Sequence, residues 1–245
     1  MPTLPACIFC DRDAGDVAYA WPGWLCELLT DRQRIWNAEH VEVGSTWAIA
    51  ERMEREVDKT VADVCTTCRQ GWMQRLDDNV SPFLRAIVLG EPTALPPARR
   101  KLLARWAATT SVVLERAIAT PVHTPRFACE HLRKIGPHAG TQVLVGRYGG
   151  RAQVLTYERD LFSRVVDGEK RYVAQSSFVM GKVLVQVFAD PWRETPPALT
   201  EAATHPFISL IGAQGSAAWP PSISVDDTVY DAVRGGPIEP ASRVS

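Results

Sequence analysis

The chain has 245 residues, of which 46% are hydrophobic and 22% charged, so it is long enough to bury at least one substantial core. Its 27 Lys and Arg residues nearly balance its 28 Asp and Glu residues, which excludes a protein drawn to nucleic acid by overall charge. No basic segment followed by an apolar stretch opens the chain, and runs such as residues 183–187 are too short to span a bilayer. We therefore expect a cytoplasmic protein without a membrane partner.

Two CxxC pairs, Cys7/Cys10 and Cys65/Cys68, predict a zinc site. Four thiolates complete a tetrahedral zinc shell and leave no open position, so such a site is structural and not catalytic. The long stretch between the pairs can loop out, because the entropy of loop closure grows slowly with length. A predicted helix over residues 66–76 would direct its N-terminal amides at the second pair and favour its thiolates. A redox CxxC or buried free thiols are the alternatives.

The middle of the chain has the pattern of two further helices. Ser81 is a good N-cap, Pro82 suits a first helical position and Gly90 suits a stop, which predicts a helix over residues 81–90. A second helix is predicted to start just after Pro96-Pro97 and to run to about residue 117. The first half of this helix carries four basic residues, Arg99, Arg100, Lys101 and Arg105. The helix dipole disfavours cations there, so they form either a solvated face or a patch that contacts phosphates.

From about residue 141 the apolar pattern changes to the period of two that is typical of strands. We predict an antiparallel meander of four strands over residues 141–148, 151–157, 171–179 and 182–189. Gly149-Gly150 predicts a hairpin between the first two strands, and Gly168 and Gly181 precede the others. The Pro-rich stretch after Asp190 is predicted as coil.

Three stretches of the first third, taken together, point to a known family. They are Cys7-Ile8-Phe9-Cys10, residues 20–25 (Ala-Trp-Pro-Gly-Trp-Leu) and residues 64–73 (Val-Cys-Thr-Thr-Cys-Arg-Gln-Gly-Trp-Met). They resemble bacterial members of the HNH endonuclease family in which zinc knuckles flank the nuclease centre. The resemblance implies a treble-clef, ββα-like core that is stapled by zinc. The fold class we predict is therefore α+β, with a zinc-stapled treble-clef-like N-terminal unit, a helical middle and an antiparallel C-terminal sheet.

The resemblance also implies an acidic residue and a His shortly before Trp21-Pro22, where the His helps to bind the catalytic metal or to activate water. This chain has Ala18 and Tyr19 at those positions. A phenol is a poor base at neutral pH, so the expected catalytic groups are missing. Weak substitutes are Asp16, which follows Asp11 and Asp13, and His40, which follows Glu39. Turn-forming surface aspartates explain the first group adequately, and a chance surface pair explains Glu39-His40 better than a metal site does.

We therefore expect a non-catalytic HNH-like protein whose zinc scaffold binds nucleic acid or a protein partner. The main alternative is an active, divalent-metal-dependent HNH endonuclease that cuts DNA, and a further alternative is a structural or assembly role. The predicted organisation is a zinc-binding HNH-like domain at residues 1–80, a helical segment at 81–120, an antiparallel β-rich domain at 121–235 and a flexible tail at 236–245. Zinc is the expected cofactor, held by the four paired cysteines.

Overall fold

A computed structural model describes most of the chain. The described residues are 6–15, 17–29, 37–43, 46–52, 59–118, 122–150, 155–166, 168–195, 206–212 and 214–234. Within them, no helix combines the length and the apolar character that crossing a bilayer requires. The predicted tail at 236–245 lies outside the described residues.

The N-terminal part is built from short elements around the cysteine pairs. Strands β1 (Ala18–Tyr19) and β4 (Thr60–Val61) pair in antiparallel fashion, and helix α1 (Gly23–Leu29) follows β1. Between α1 and β4 in the chain, β2 (Asn37–Val43) and β3 (Thr46–Arg52) form an antiparallel pair. This pair joins the large sheet formed by the C-terminal strands, through one bridge from β2.

One continuous helical run leads away from the second cysteine pair. It consists of α2 (Thr66–Cys68), a π-helical turn (Arg69–Met73) and α3 (Gln74–Leu89). The predicted helix at 66–76 is confirmed, whereas the prediction of a new helix starting at Ser81 is wrong. Ser81 and Pro82 lie inside α3, because Leu76, Val80, Phe83, Leu84 and Ile87 continue one buried face past them.

Pro82 is tolerated in the interior of α3 because it lies on the exposed side of the helix. Proline removes the hydrogen bond to the carbonyl four residues earlier, here that of Asp78, which is also exposed and accessible to water. The predicted stop is confirmed: Gly90 caps α3 with a φ of 82°, and its amide bonds back to the last turn.

The long second helix is confirmed almost to the residue, as α4 (Pro97–Ile118). Before it, β5 (Thr93–Leu95) pairs with β11 (Ala217–Trp219). After it, α5 (Arg126–Lys134) leads into the sheet. Helix α4 packs on α3 and on the sheet, and Leu103, Ala107 and Leu114 are fully buried at that contact.

The C-terminal half contributes the main strands of an eight-stranded sheet. They are β6 (Thr141–Tyr148), β7 (Thr156–Val166), β8 (Glu169–Met180), β9 (Val183–Ala189), β10 (Phe207–Ser209) and β12 (Ser224–Val225). Strands β7, β8 and β9 form an antiparallel meander, which confirms the arrangement of three of the four predicted strands. Gly168 and Gly181 sit at its two turns with φ values of 78° and 58°, a backbone conformation that glycine adopts readily.

The predicted hairpin between the first two strands of this region is wrong. Residues 151–154 lie outside the described residues, and β7 begins at Thr156. Strand β6 pairs with β9, β10 and β12, and the sheet order along its main path is β10-β6-β9-β8-β7-β2-β3. Gly149 does not turn the chain back, because its amide bonds to the carbonyl of Val225 and so extends the contact with β12.

The Pro-rich stretch directly after Asp190, predicted as coil, has no helix or strand in its described residues 191–195. Further along, the chain forms β10, β11, β12 and a last helix, α6 (Asp227–Arg234). These elements are short and pair with distant partners. The α+β class, the helical middle and the antiparallel C-terminal sheet are confirmed. The treble-clef identity of the N-terminal unit stays a prediction.

Candidate metal centre

The first cysteine pair lies in a tight turn at the start of the described chain. The amide of Cys7 donates to the carbonyl of Arg12 at 2.8 Å, and that of Cys10 donates to the carbonyl of Cys7 at 3.3 Å. Phe9, between the two cysteines, is fully buried and packs edge-on against Trp72 with 5.1 Å between ring centroids. The aromatic contact therefore anchors the turn to the start of the long helical run.

The second pair lies at the N-terminus of that helical run. Cys65 is the N-cap of α2, and its Sγ accepts a hydrogen bond from the amide of Cys68 at 3.4 Å. The backbone of Gly15 passes close by: a Cβ there would lie 2.9 Å from both the carbonyl oxygen of Val64 and the amide nitrogen of Thr66. Glycine is thus required for the first segment to approach the second pair this closely.

The four sulfur atoms converge on one point. All four lie within 4.8 Å of one another, and the Sγ of Cys10 is 3.6 Å from those of Cys65 and Cys68. A tetrahedron with metal–sulfur bonds of about 2.3 Å has sulfur–sulfur edges of about 3.8 Å. Cys7, Cys65 and Cys68 are buried, and Cys10 is partly buried. The group is therefore close enough, and enclosed enough, to hold a metal ion.

The environment of Cys68 alters the protonation of its thiol. Burial raises the pKa of the Cys68 thiol above its usual value, and the neighbouring Cys10 raises it further, although a hydrogen bond involving Trp72 lowers it. The expectation that the helix N-terminus favours a thiolate at Cys68 is thus outweighed by burial. A bound cation would supply the positive charge that a buried thiolate needs.

Two arginines tie the first turn to its surroundings. Arg12 donates to the hydroxyl of Thr67 at 2.6 Å, which links the two cysteine pairs directly. Arg126 of α5 donates to the carbonyl of Cys10 at 3.0 Å and forms an ion pair with Asp11 at 2.6 Å. The pKa of Arg126 is raised, first by its hydrogen bond to Glu130 and further by nearby charges that include Cys7.

The positions that the family resemblance assigns to catalysis lie in β1, which pairs with β4 shortly before the second cysteine pair. Ala18 pairs with Val61 in β1, and Tyr19 is 68% exposed. Tyr19 stands at the rim of a cavity of about 120 Å³, whose wall also includes Arg69, Gln74 and Asp77. His40 lies in β2 with its backbone opposite Ile49, and Asp16 lies outside the described residues.

Asp77 at this cavity is engaged by two tryptophans. The indole nitrogens of Trp24 and Trp106 each donate to one of its carboxylate oxygens at 3.0 Å. Burial raises the pKa of Asp77, and the two indole hydrogen bonds partly oppose that rise. Trp24 therefore has a structural partner, and Trp21 is a core residue with a T-shaped contact to Phe178.

The four basic residues in the first half of α4 do not share one surface. Arg100 is buried and donates to the carbonyls of Ser209 and Gly215. Arg105 is half-buried, donates to the carbonyl of Arg133 and lies over the Trp72 ring at 5.5 Å. Arg99 and Lys101 are exposed. Two of the four are therefore committed to internal contacts, and the exposed pair remains available to solvent.

Sequence reasoning missed a buried ion pair between α4 and the sheet. Glu115 and Arg159 are 2% and 1% exposed, and Arg159 Nη2 lies 2.6 Å from Glu115 Oε1. The same carboxylate accepts from the amides of His123 and Thr124, so it also fixes the segment that precedes α5. The partners are 44 residues apart, and no local pattern relates them. The roles of Asp77 and Arg126 were missed for the same reason.

No family model, no curated protein and no solved structure matches this chain.

Proposed function

We propose that this chain is a zinc-binding, HNH-endonuclease-like protein whose zinc-stabilised unit binds nucleic acid and does not cleave it. The carrying observation is the convergence of the two cysteine pairs on one point, with the exposed Tyr19 lining a cavity that also includes Arg69, the residue after Cys68. Four thiolates are the ligand set typical of structural zinc, and their spacing suits that ion. Cys7, Cys10, Cys65 and Cys68 would hold it and so join the N-terminal turn to the start of α2.

A site of this kind supplies stability and no chemistry, because a four-thiolate shell leaves no position for water. Hydrolysis would need a second metal or a base next to Tyr19. Asp77 is the one carboxylate among the described residues that line the cavity there. Both of its oxygens already accept indole hydrogen bonds, so it is held as a structural group. These contacts support a binding role over a catalytic one.

The same surface offers groups that suit single-stranded nucleic acid. Tyr19 and the preceding Val17 are 68% and 66% exposed, which gives an aromatic ring and an apolar side chain to solvent. Tyr19 shares the lining of the cavity with Arg69 and Gln74. Arg69 donates to the carbonyl of Val64 at 3.1 Å and Gln74 donates to Asp78 at 2.8 Å, and each side chain carries further N–H groups. Stacking of a base on an exposed aromatic ring contributes about 1–3 kcal/mol and does not depend on sequence.

The test combines cleavage and binding. Supercoiled plasmid is incubated with the protein and magnesium, manganese or nickel, and the anisotropy of a labelled single-stranded oligonucleotide reports binding. We expect no nicking, measurable binding, and about tenfold weaker binding for Tyr19→Ala, with Tyr19→Phe as the matched control that keeps the ring. Zinc content is measured on every variant, so that a folding defect is recognised.

The outcomes separate the candidate functions. Metal-dependent nicking by the unmodified protein, lost in Asp16→Asn or His40→Ala, would establish the endonuclease in place of the binding module. Nicking only after Ala18→Glu with Tyr19→His would indicate a scaffold that kept its geometry and lost its catalytic groups. Absence of oligonucleotide binding would contradict the nucleic-acid partner and direct the search to proteins.

A further inference from the structure

Arg126, the first residue of α5, reaches from its helix to the turn that carries the first cysteine pair. Its Nη2 donates to the carbonyl oxygen of Cys10 at 3.0 Å and to Asp11 Oδ1 at 2.6 Å. Its Nε donates to Glu130 Oε1 at 3.1 Å, one helical turn further along α5. The guanidinium is thus held from its own helix and directed at the backbone of a sulfur ligand.

Charge gives this contact a second role. A divalent cation with four thiolates keeps two negative charges, and the cluster is largely buried, where charge is poorly screened. A fixed guanidinium that bonds the carbonyl of one ligand residue lies close enough to offset part of that charge. The hydrogen bond also limits the rotation of the Cys10 peptide and keeps the Sγ facing its three partners.

We propose that Arg126 is a positioning residue for the metal centre, which holds the Cys10 turn in place and slows the loss of the ion by offsetting the charge of the thiolates. The inference rests on the zinc site of the proposed function. An ordinary surface ion pair would not have this role. The ion pair with Asp11 alone would contribute little stability, because the Asp11 side chain is 97% exposed. The hydrogen bond to the Cys10 carbonyl is the contact that holds the Cys10 turn in place.

The experiment measures how fast zinc passes from the folded protein to a colorimetric chelator. The variants are Arg126→Met, which keeps the length of the side chain, and Arg126→Lys, which keeps its charge. Arg75→Met is the matched control: Arg75 is exposed on α3, seven residues beyond Cys68 and so about 10 Å along the helix. Each protein is measured at about 0.01 M and about 1 M salt, where the Debye lengths are about 30 Å and about 3 Å.

We expect Arg126→Met to release zinc about tenfold faster at low salt, the lower end of the range for residues that support metal ligands. The ratio to the unmodified protein should shrink at high salt, and the release rate of Arg126→Lys should lie between those of Arg126→Met and the unmodified protein. Arg75→Met should release zinc more slowly than Arg126→Met at low salt and at the unmodified rate at high salt, because Arg75 lies within the Debye length of the centre only at low salt. Equal release rates for Arg126→Met and Arg75→Met would overturn the inference, and a ratio independent of salt would remove its charge component. Elemental analysis of the unmodified protein comes before the kinetic measurements. Absence of zinc there would contradict the zinc site itself, and not only the role of Arg126.

Discussion

Replacing Cys65 with Ser should cost the protein its metal and a large share of its stability. A bound ion would link Cys10 to Cys65 across 55 positions of the chain. In the chain-entropy treatment of cross-links, closing a loop of that length stabilises the native state by about 4 kcal/mol. Natural domains are stable by about 5–15 kcal/mol, so the loss is a substantial fraction of the whole. For a chain of this size it corresponds to a fall in melting temperature of about 10 °C.

The assay pairs elemental analysis with differential scanning calorimetry of the zinc-loaded protein. Cys129→Ala is the matched control, because Cys129 is also fully buried, and burial raises the pKa of its thiol to about 12, which keeps it protonated. We expect close to one zinc per chain in the unmodified protein and in Cys129→Ala, and none in Cys65→Ser. A Cys65→Ser protein that retains zinc, or one that melts at the unmodified temperature after losing it, would refute the cross-link reasoning.

Two further predictions concern buried charges. Arg159→Met should destabilise the protein by about 3–5 kcal/mol in urea unfolding, because it leaves the buried carboxylate of Glu115 without its ion-pair partner. The double variant that also carries Glu115→Met should recover part of that loss. A double variant as unstable as the sum of both single changes would contradict this. Burial raises the pKa of Asp77 above 3.8, so the folded state binds its proton more tightly than the unfolded state and this group's contribution to stability falls as pH rises above about 3.8. The unfolding free energy of the unmodified protein minus that of Asp77→Asn should therefore decrease with pH over that window, and an increase would show that the two indole bonds outweigh burial.

The sequence by itself determined the features that depend on near neighbours along the chain. The CxxC spacing brings the sulfurs of each pair together, whatever the rest of the fold does. The bounds of α4 and the stop at Gly90 follow from an uninterrupted apolar stripe and from the freedom of glycine at positive φ. The turns at Gly168 and Gly181 are local for the same reason. The prediction of a helix start at Ser81-Pro82 is wrong because a good capping pair does not interrupt a helix whose buried face continues past it.

Only the tertiary structure decided which distant segments meet. Strand β6 lies beside β9 and not beside β7, since strand order depends on long-range pairing that alternation of apolar residues does not encode. The sequence places Arg100 in a candidate surface patch, whereas in the fold its guanidinium donates to the carbonyls of Ser209 and Gly215 in the protein interior. Arg126 contacts the carbonyl of Cys10, 116 positions away, and Asp77 accepts hydrogen bonds from Trp24 and Trp106 of two other helices. Each of these polar groups is satisfied by a partner that only the folded chain brings within hydrogen-bond distance.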